Sequence, residues 1–368
     1  MTGDTVGGVW SYALELAQAL SEHRTEIVLA TMGPLPSDKQ RARLRDLANV
    51  TLYAADYRLE WMENPWRDVD AAGAWLLKLE SRFEPDIVHL NGFSHGALPW
   101  RVPCLIVGHS CVWSWFEAVK GVAPPTEWNE YKNRVTAGLR AAQIVTAPSR
   151  AMLEALCRHY GPFAATGPVY NGRNPRHYAP GRKEPFVLAA GRFWDEAKNI
   201  GALAPAAQAL PWRIYAAGPD QAPDGNKPRR DDSLIFLGEV DSTELSSWLA
   251  RAAIFVLPAR YEPFGLSVLE AALAGCALVL GDIPSLRELW DGAAVFVPPN
   301  DSHAISDGLK RLIEDSTGRR KLADTARRRA AFFSPERMAR GYLDLYARLV
   351  ESGEQVPAPQ PTTLGNRP

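Results

Sequence analysis

The sequence predicts an α/β fold of two Rossmann-like domains, each built on a mainly parallel sheet, facing a central cleft. Three observations carry this expectation. Short apolar runs alternate with amphipathic stretches along nearly all of the 368 residues, the pattern of parallel strands covered by helices on both faces. That cycle occurs twice. Between the two passes stands Val169-Tyr170-Asn171-Gly172-Arg173-Asn174-Pro175, whose Asn-Gly pair and following proline favour a turn and mark a domain junction.

In the first half, residues 26–31, 50–53, 87–90, 105–108 and 144–147 read as strands. Thr5-Val6-Gly7-Gly8-Val9-Trp10 opens a helix in which Val9, Tyr12, Ala13, Leu16 and Leu20 recur at helical spacing. A Rossmann domain needs an apolar strand ahead of such a turn, and only Met1 to Asp4 precede Thr5. The central strand of the first sheet is therefore expected to be missing or a stub. Either the seam stays exposed, or about five further apolar residues upstream of Met1 complete it. In the second half, residues 186–190, 212–217, 234–237, 254–257 and 277–280 read as strands, and residues 335–351 as a long helix with Tyr342 and Tyr346 on one face. Residues 357–368 are Pro-rich and polar, as in a disordered tail.

Composition bounds the function. The chain is 46% hydrophobic and 23% charged, enough for two domains of ordinary size. A net charge of -1 argues against a nucleic-acid partner, which favours a basic face. No apolar run approaches the ~20 residues that cross a bilayer, so membrane contact is peripheral at most, and a cytoplasmic location is the default. Cys104, Cys111, Cys157 and Cys276 form no metal-type pair. Asp68-Val69-Asp70 spells D-x-D, but just ahead of a helical run at 71–79 acidic residues serve capping and the helix dipole, so no metal site is expected.

The most informative segment runs from Arg260 through Tyr261, Glu262, Pro263, Phe264, Gly265 and Leu266 to Glu270. It follows the strand at 254–257, so it lies at the carboxyl edge of a parallel sheet, where open α/β folds bind ligands. Backbone N–H groups at the helix start suit an anion. Two carboxylates, Glu262 and Glu270, flank those donors, which implies a ligand that offers hydroxyls as well as phosphate. A second element, Gly191-Arg192-Phe193-Trp194-Asp195-Glu196-Ala197-Lys198-Asn199, follows the strand at 186–190. Arg192 and Lys198 can bring two cations to a diphosphate, or pair with Asp195 and Glu196 as ordinary surface charge. The paired Gly7 and Gly8 let a backbone approach a ligand closely. They are not a dinucleotide fingerprint, because G-x-G-x-x-G is absent.

Glu262, seven intervening residues and Glu270 around Pro-Phe-Gly-Leu resemble the E-x7-E motif of the retaining glycosyltransferases of family 4, and the likeness covers nearly the whole chain. The resemblance implies the GT-B architecture. Residues 1–172 would form the acceptor-side domain and 173–334 the nucleotide-sugar domain. The helix at 335–354 would cross back, leaving 355–368 as a tail. It also implies roles: Glu262 on the donor sugar's hydroxyls, Glu270 on the ribose, and the amides of Phe264, Gly265 and Leu266 on the diphosphate. Arg192 and Lys198 would stabilise the departing nucleoside diphosphate, Gly7 and Gly8 would face the donor phosphates, and the backbone at Glu239 and Val240 would meet the base. His109, at the end of the strand at 105–108, resembles the family's active-site histidine. His89 reads as a core residue inside a strand, whereas Asn91, Gly92, Ser94 and His95 could line the acceptor side. Trp61, Trp66, Trp100, Trp113 and Trp115 stand in the same half, where aromatics either stack on sugars or fill the core.

The expected reaction is retaining transfer of a sugar from a UDP- or GDP-sugar to an unidentified acceptor, with no cofactor and no metal. The family implies front-face displacement, in which the leaving phosphate helps deprotonate the acceptor. A sugar-nucleotide epimerase and a noncatalytic sugar-nucleotide binder on the same fold are the alternatives.

Overall fold

A computed structural model of the chain describes residues 1–219, 221 and 231–353. The tail expected at 355–368 lies outside the described residues.

The first half runs β1 (Thr2–Asp4), α1 (Gly8–Ser21), β2 (Ile27–Met32), α2 (Asp38–Leu44), β3 (Val50–Ala54), α3 (Trp66–Phe83), β4 (Val88–Leu90), β5 (Cys104–Val107), α4 (Val112–Lys120), α5 (Asn129–Ala141), β6 (Ile144–Thr146) and α6 (Arg150–Tyr160). Its parallel strands form two ladders, β1-β2-β3 and β4-β5-β6. The first strand is the expected stub: β1 pairs with β2 over three residues, Thr2 opposite Ala30 to Asp4 opposite Met32. The seam toward β4 is not left exposed at this end. Asn91, just past β4, donates its N–H to Thr2 Oγ1 at 2.9 Å and its side-chain amide to the Thr2 carbonyl at 2.7 Å. Thr2 is buried. Below Met1 the two ladders part around a cavity of about 370 Å³, lined by Ile27 and Val28 on one side, Val88 on the other, and Leu76, Leu79 and Tyr346.

The second half runs β7 (Glu184–Ala190), α7 (Leu203–Gln208), β8 (Ile214–Ala217), β9 (Leu234–Gly238), α8 (Ser242–Arg251), β10 (Ala252–Leu257), α9 (Leu266–Leu273), β11 (Ala277–Gly281), α10 (Pro284–Trp290), β12 (Val295–Val297), α11 (Ser302–Glu314) and α12 (Ser316–Ala330). The sheet order is β12-β11-β10-β7-β8-β9, all parallel. Its central strands are continuous apolar runs because both faces are covered. Phe255, Leu257, Leu278 and Leu280 pack with Val268, Leu269 and Leu286 on one face. Ile254, Val256 and Val279 pack with Leu203, Ile305 and Leu309 on the other. The edge strand β12, only three residues long, went unread in the sequence.

The last helix, α13 (Pro335–Gly353), returns to the first half. Its Met338, Tyr342, Leu345 and Leu349 share a core with Leu16 and Leu20 of α1. The chain thus crosses between halves twice, and the crossings touch. Arg173 N donates to the Phe333 carbonyl at 3.1 Å. A Cβ on Gly172 would overlap the backbone of Ser334, so only glycine fits there.

The cavity below Met1 generates a prediction. A strand added there would meet the open edge of β2, and each backbone group paired away from water is worth on the order of 1 kcal/mol. Each such unit moves the melting temperature of a domain this size by about 2 to 4 °C. A variant extended ahead of Met1 by about five apolar residues is expected to melt several degrees higher by calorimetry; equal melting temperatures would show that the slot accepts no strand.

Candidate active site

Adjacency of β7 and β10 places the loops after them against each other at the carboxyl edge of the sheet. Arg260 N donates to the Ala197 carbonyl at 2.9 Å. Asn199, held in the left-handed region at φ 55°, donates its side-chain amide to the carbonyls of Pro258 (3.0 Å) and Pro299 (2.6 Å). These bonds set Lys198 beside Glu262, and Lys198 Nζ donates to Glu262 Oε2 at 2.6 Å with both side chains largely enclosed. The other oxygen of Glu262 accepts the Phe264 N–H at 3.4 Å, so the first amide after Pro263 is partly used within the loop.

Gly265 caps α9 at φ 87°, a left-handed turn suited to glycine. Of the N–H groups that follow, that of Val268 already donates to the Gly265 carbonyl at 3.0 Å, while those of Leu266 and Ser267 lie ahead of the helical bonds at the positive end of the helix dipole. Phe264 can offer only its backbone, because its ring is buried in the core. Leu266 reaches across the cleft to Gly8.

Arg192 spans the cleft as well. Its guanidinium abuts Gly7, whose φ of 87° and missing side chain leave the space. It also bonds Asp195 Oδ2 at 3.3 Å and lies over the Trp194 ring. Asp195 is held from the opposite half by Trp115 Nε1 at 3.0 Å. Surface-type pairing therefore accounts for part of this loop: Arg192 pairs with Asp195, and Glu196 with Lys120 across the cleft. Lys198 turns instead to Glu262. Asp4, at the end of β1, is pushed up to about 7 by burial, against the lowering pull of Arg192.

His109 follows β5 with its ring edge-on to Tyr12 at 4.5 Å. Its Nε2 lies 2.8 Å from Asn91 Oδ1. Because the Asn91 amide nitrogen is spent on Thr2, Oδ1 faces His109, and Nε2 carries the proton. Part of the residue's surface reaches the cleft, but burial of the ring pulls its pKa down to about 3, so it is neutral near pH 7. His89 belongs to the core, with Nδ1 2.6 Å from Tyr346 Oη. The acceptor-side reading of His95 is corrected: it is buried, with Nε2 2.9 Å from the Val69 carbonyl. Asn91 serves His109 and Thr2.

Glu270 is buried one helical turn below the site, its Oε1 accepting Arg173 Nε at 2.8 Å. Exposed Glu239 and half-buried Val240 follow β9, where the Gly238 carbonyl accepts the Gly218 N–H at 2.7 Å. Asp68 and Asp70 lie inside α3, which begins earlier than the run at 71–79 suggested. Asp68 accepts the Arg58 N–H, and Asp70 pairs with Arg134. Of the tryptophans singled out above, Trp115 reaches the other half, whereas Trp61, Trp66, Trp100 and Trp113 pack on the core.

Several cross-cleft ties went unread in the sequence. Tyr261 Oη accepts the Cys111 N–H at 3.2 Å, and Ser149 Oγ donates to the Pro263 carbonyl at 2.6 Å. Glu288 accepts the N–H groups of Arg150 (2.8 Å) and Ala151 (2.9 Å) at the start of α6, and the Tyr170 hydroxyl at 3.0 Å. Ser149 carried a helix-start signal; Glu288 and Tyr261 carried none, since their partners are remote in sequence.

Both halves of the chain match families of known proteins. Residues 6–177 match the glycosyltransferase family 4 model, and residues 184–315 match the group 1 glycosyl transferases. The chain is 34% identical to glycogen synthase of Mycobacterium tuberculosis over 34% of its length and 31% of that protein's. It is 32% identical to the O-antigen chain mannosyltransferase B of Escherichia coli over 45% and 38%. The matches thus span about a third of these relatives' length. A D-inositol 3-phosphate glycosyltransferase of Xylanimonas cellulosilytica aligns over 94% of this chain and 93% of its own, at 25% identity. Among solved structures, the sucrose-phosphate synthase of Thermosynechococcus elongatus superposes with a TM-score of 0.77 at 20% identity, covering 95% of this chain and 96% of that one. The HepE protein of Anabaena, solved with UDP-glucose, gives 0.75 at 16%, covering 95% and 99%. The structural likenesses show the GT-B fold, and the sequence matches place both halves in one class. The chain belongs to the family-4-like glycosyltransferases.

Proposed function

We propose that the chain transfers a sugar from a nucleotide-diphosphate sugar to an acceptor hydroxyl with retention of configuration, without a metal ion. The observation that carries this reading is the Lys198–Glu262 pair, both side chains largely enclosed, with Lys198 on the loop that also carries Arg192. Arg192, Lys198 and the first-turn amides of α9 receive the diphosphate. Glu262 takes sugar hydroxyls, Glu270 the ribose, and neutral His109 offers a dipole to the sugar rather than a charge. The bond from the anomeric carbon to the phosphate oxygen breaks as the acceptor oxygen adds on the same face, and the acceptor proton passes to the leaving phosphate. Stabilising that departing charge with preorganised cations is the dominant contribution. UDP- and GDP-sugars are the donors to test first, since HepE is solved with UDP-glucose. No helix among the described residues is long and apolar enough to cross a membrane, and the four cysteines are free, which suits a reducing compartment such as the cytoplasm.

The direct test measures nucleoside diphosphate release and sugar product over a panel of UDP- and GDP-sugars, with and without acceptors. Transfer that requires an acceptor supports the proposal. Conversion of donor alone would mean an epimerase, and binding without release would mean a noncatalytic binder. A chelator is expected to leave turnover unchanged; loss restored by Mg²⁺ or Mn²⁺ would overturn the metal-free reading.

Arg192→Ala and Lys198→Ala are each expected to cut turnover at least tenfold, because a charged contact to a developing anion is worth about 2 to 4 kcal/mol. Activity within about twofold of wild type for both would move the diphosphate elsewhere. Glu262→Ala has a split outcome: removing the carboxylate frees Lys198, so calorimetry with UDP and GDP should show equal or tighter binding while transfer slows. Unchanged turnover would refute the role of Glu262.

Asp4 yields a pH prediction. Its folded value, about 7, lies above its ordinary 3.8. The contribution of its proton to stability is therefore full below 3.8 and lost as pH rises toward 7. The melting temperature of wild type minus that of Asp4→Asn should fall as pH rises across this window; a flat difference would contradict the shift.

A further inference from the structure

Arg173 is a buried cation at the point where the two chain crossings meet. It is 5% exposed, and the carboxylates it binds, Glu15 on α1 and Glu270 on α9, are each 7% exposed. Its Nε donates to Glu270 Oε1 at 2.8 Å, and its Nη1 to Glu15 Oε2 at 3.3 Å and to the Ser11 carbonyl at 3.2 Å. The other oxygen of Glu15 accepts the Asn174 N–H at 3.0 Å. One guanidinium thus ties a helix of the first half to the helix that begins at the proposed diphosphate site.

Stability alone is a weak reason for this cluster, because a buried ion group is often no better than apolar side chains of the same volume. Its chemistry is more specific. Two carboxylates share one guanidinium, leaving a net charge of -1, and Glu270, which also takes the Tyr178 hydroxyl, keeps acceptor capacity to spare. That surplus suits a neutral donor of two hydroxyl protons and repels an anion. The charge-assisted bond fixes the plane of the Glu270 carboxyl.

We propose that Arg173 is a positioning residue for the nucleotide: by holding Glu270 Oε1, and being held in turn by Glu15, it presents Oε2 to the vicinal hydroxyls of the ribose. This rests on the assignment of Glu270 to the ribose made above, and it makes ribose recognition depend on contact with the other half of the molecule.

The test compares binding of UDP and GDP with their 2′,3′-dideoxy counterparts, by calorimetry, to wild type, Arg173→Met and Arg173→Lys. Wild type is expected to prefer the ribonucleotide by about tenfold or more, the scale of hydrogen bonds to a charged group. Arg173→Met should reduce the preference to about twofold or less while retaining affinity for the dideoxy form. Arg173→Lys, which keeps the charge but cannot fork to both carboxylates, should fall between and remains informative if the methionine variant does not fold. If wild type shows no preference, the ribose assignment of Glu270 fails and the proposal with it. If wild type discriminates and both variants discriminate equally well, the assignment stands and the role of Arg173 is refuted.

Discussion

The parallel pairing of β7 with β10, Val187 opposite Ile254 and Leu188 opposite Phe255, is the constraint on which the rest depends. It joins segments far apart in sequence and aligns their carboxyl ends, so that the two chemically rich loops lie edge to edge. Once Arg260 N is bonded to Ala197 O, Lys198 and Glu262 have little choice of neighbour. The apolar faces of the sheet provide the rigidity: Ile254 and Val256 look one way and Phe255 and Leu257 the other, each into a covered core.

The charges at this edge satisfy one another. Lys198 is bonded to Glu262, Arg192 to Asp195, and Asp195 to Trp115. A diphosphate entering here exchanges one anion for another rather than neutralising bare cations, and the net gain comes from the difference between the two sets of contacts. Such a site favours a ligand that supplies acceptors for the cations and hydroxyl donors for the displaced carboxylate at once. A simple phosphate offers only the first half of that exchange.

Much of the frame was legible because strands buried on both faces must be apolar throughout, and runs such as residues 254–257 and 277–280 carry that signature without ambiguity. The exception is β12, a three-residue edge strand in which Val295 and Phe296 are only half-buried, so it lacks the long apolar run of a central strand. The loop residues Glu262, Lys198, Gly7 and Gly265 stood out because their chemistry is written in local spacing. The cross-cleft partnerships of Arg173, Glu288 and Tyr261 did not. Each residue acts through partners 97 to 162 positions away, as with Arg173 and its partners Glu270 and Ser11, and no local periodicity reports such a pairing. His95 misled because a histidine near a strand end looks the same in sequence whether its ring faces a cleft or a carbonyl.

The bond of Glu288 to the first turn of α6 has a mechanical meaning. The two crossings pack against each other at Gly172 and Ser334, and the Glu288 contact and the Ser149–Pro263 bond tie the halves together at a second place. Separating the halves here would give up a carboxylate's hold on two helix-start amides and return them to water, a local cost set by hydration rather than by the chemistry in the cleft. How firmly the halves are held together thus depends in part on residues outside the charge cluster of Arg192, Lys198 and Glu262.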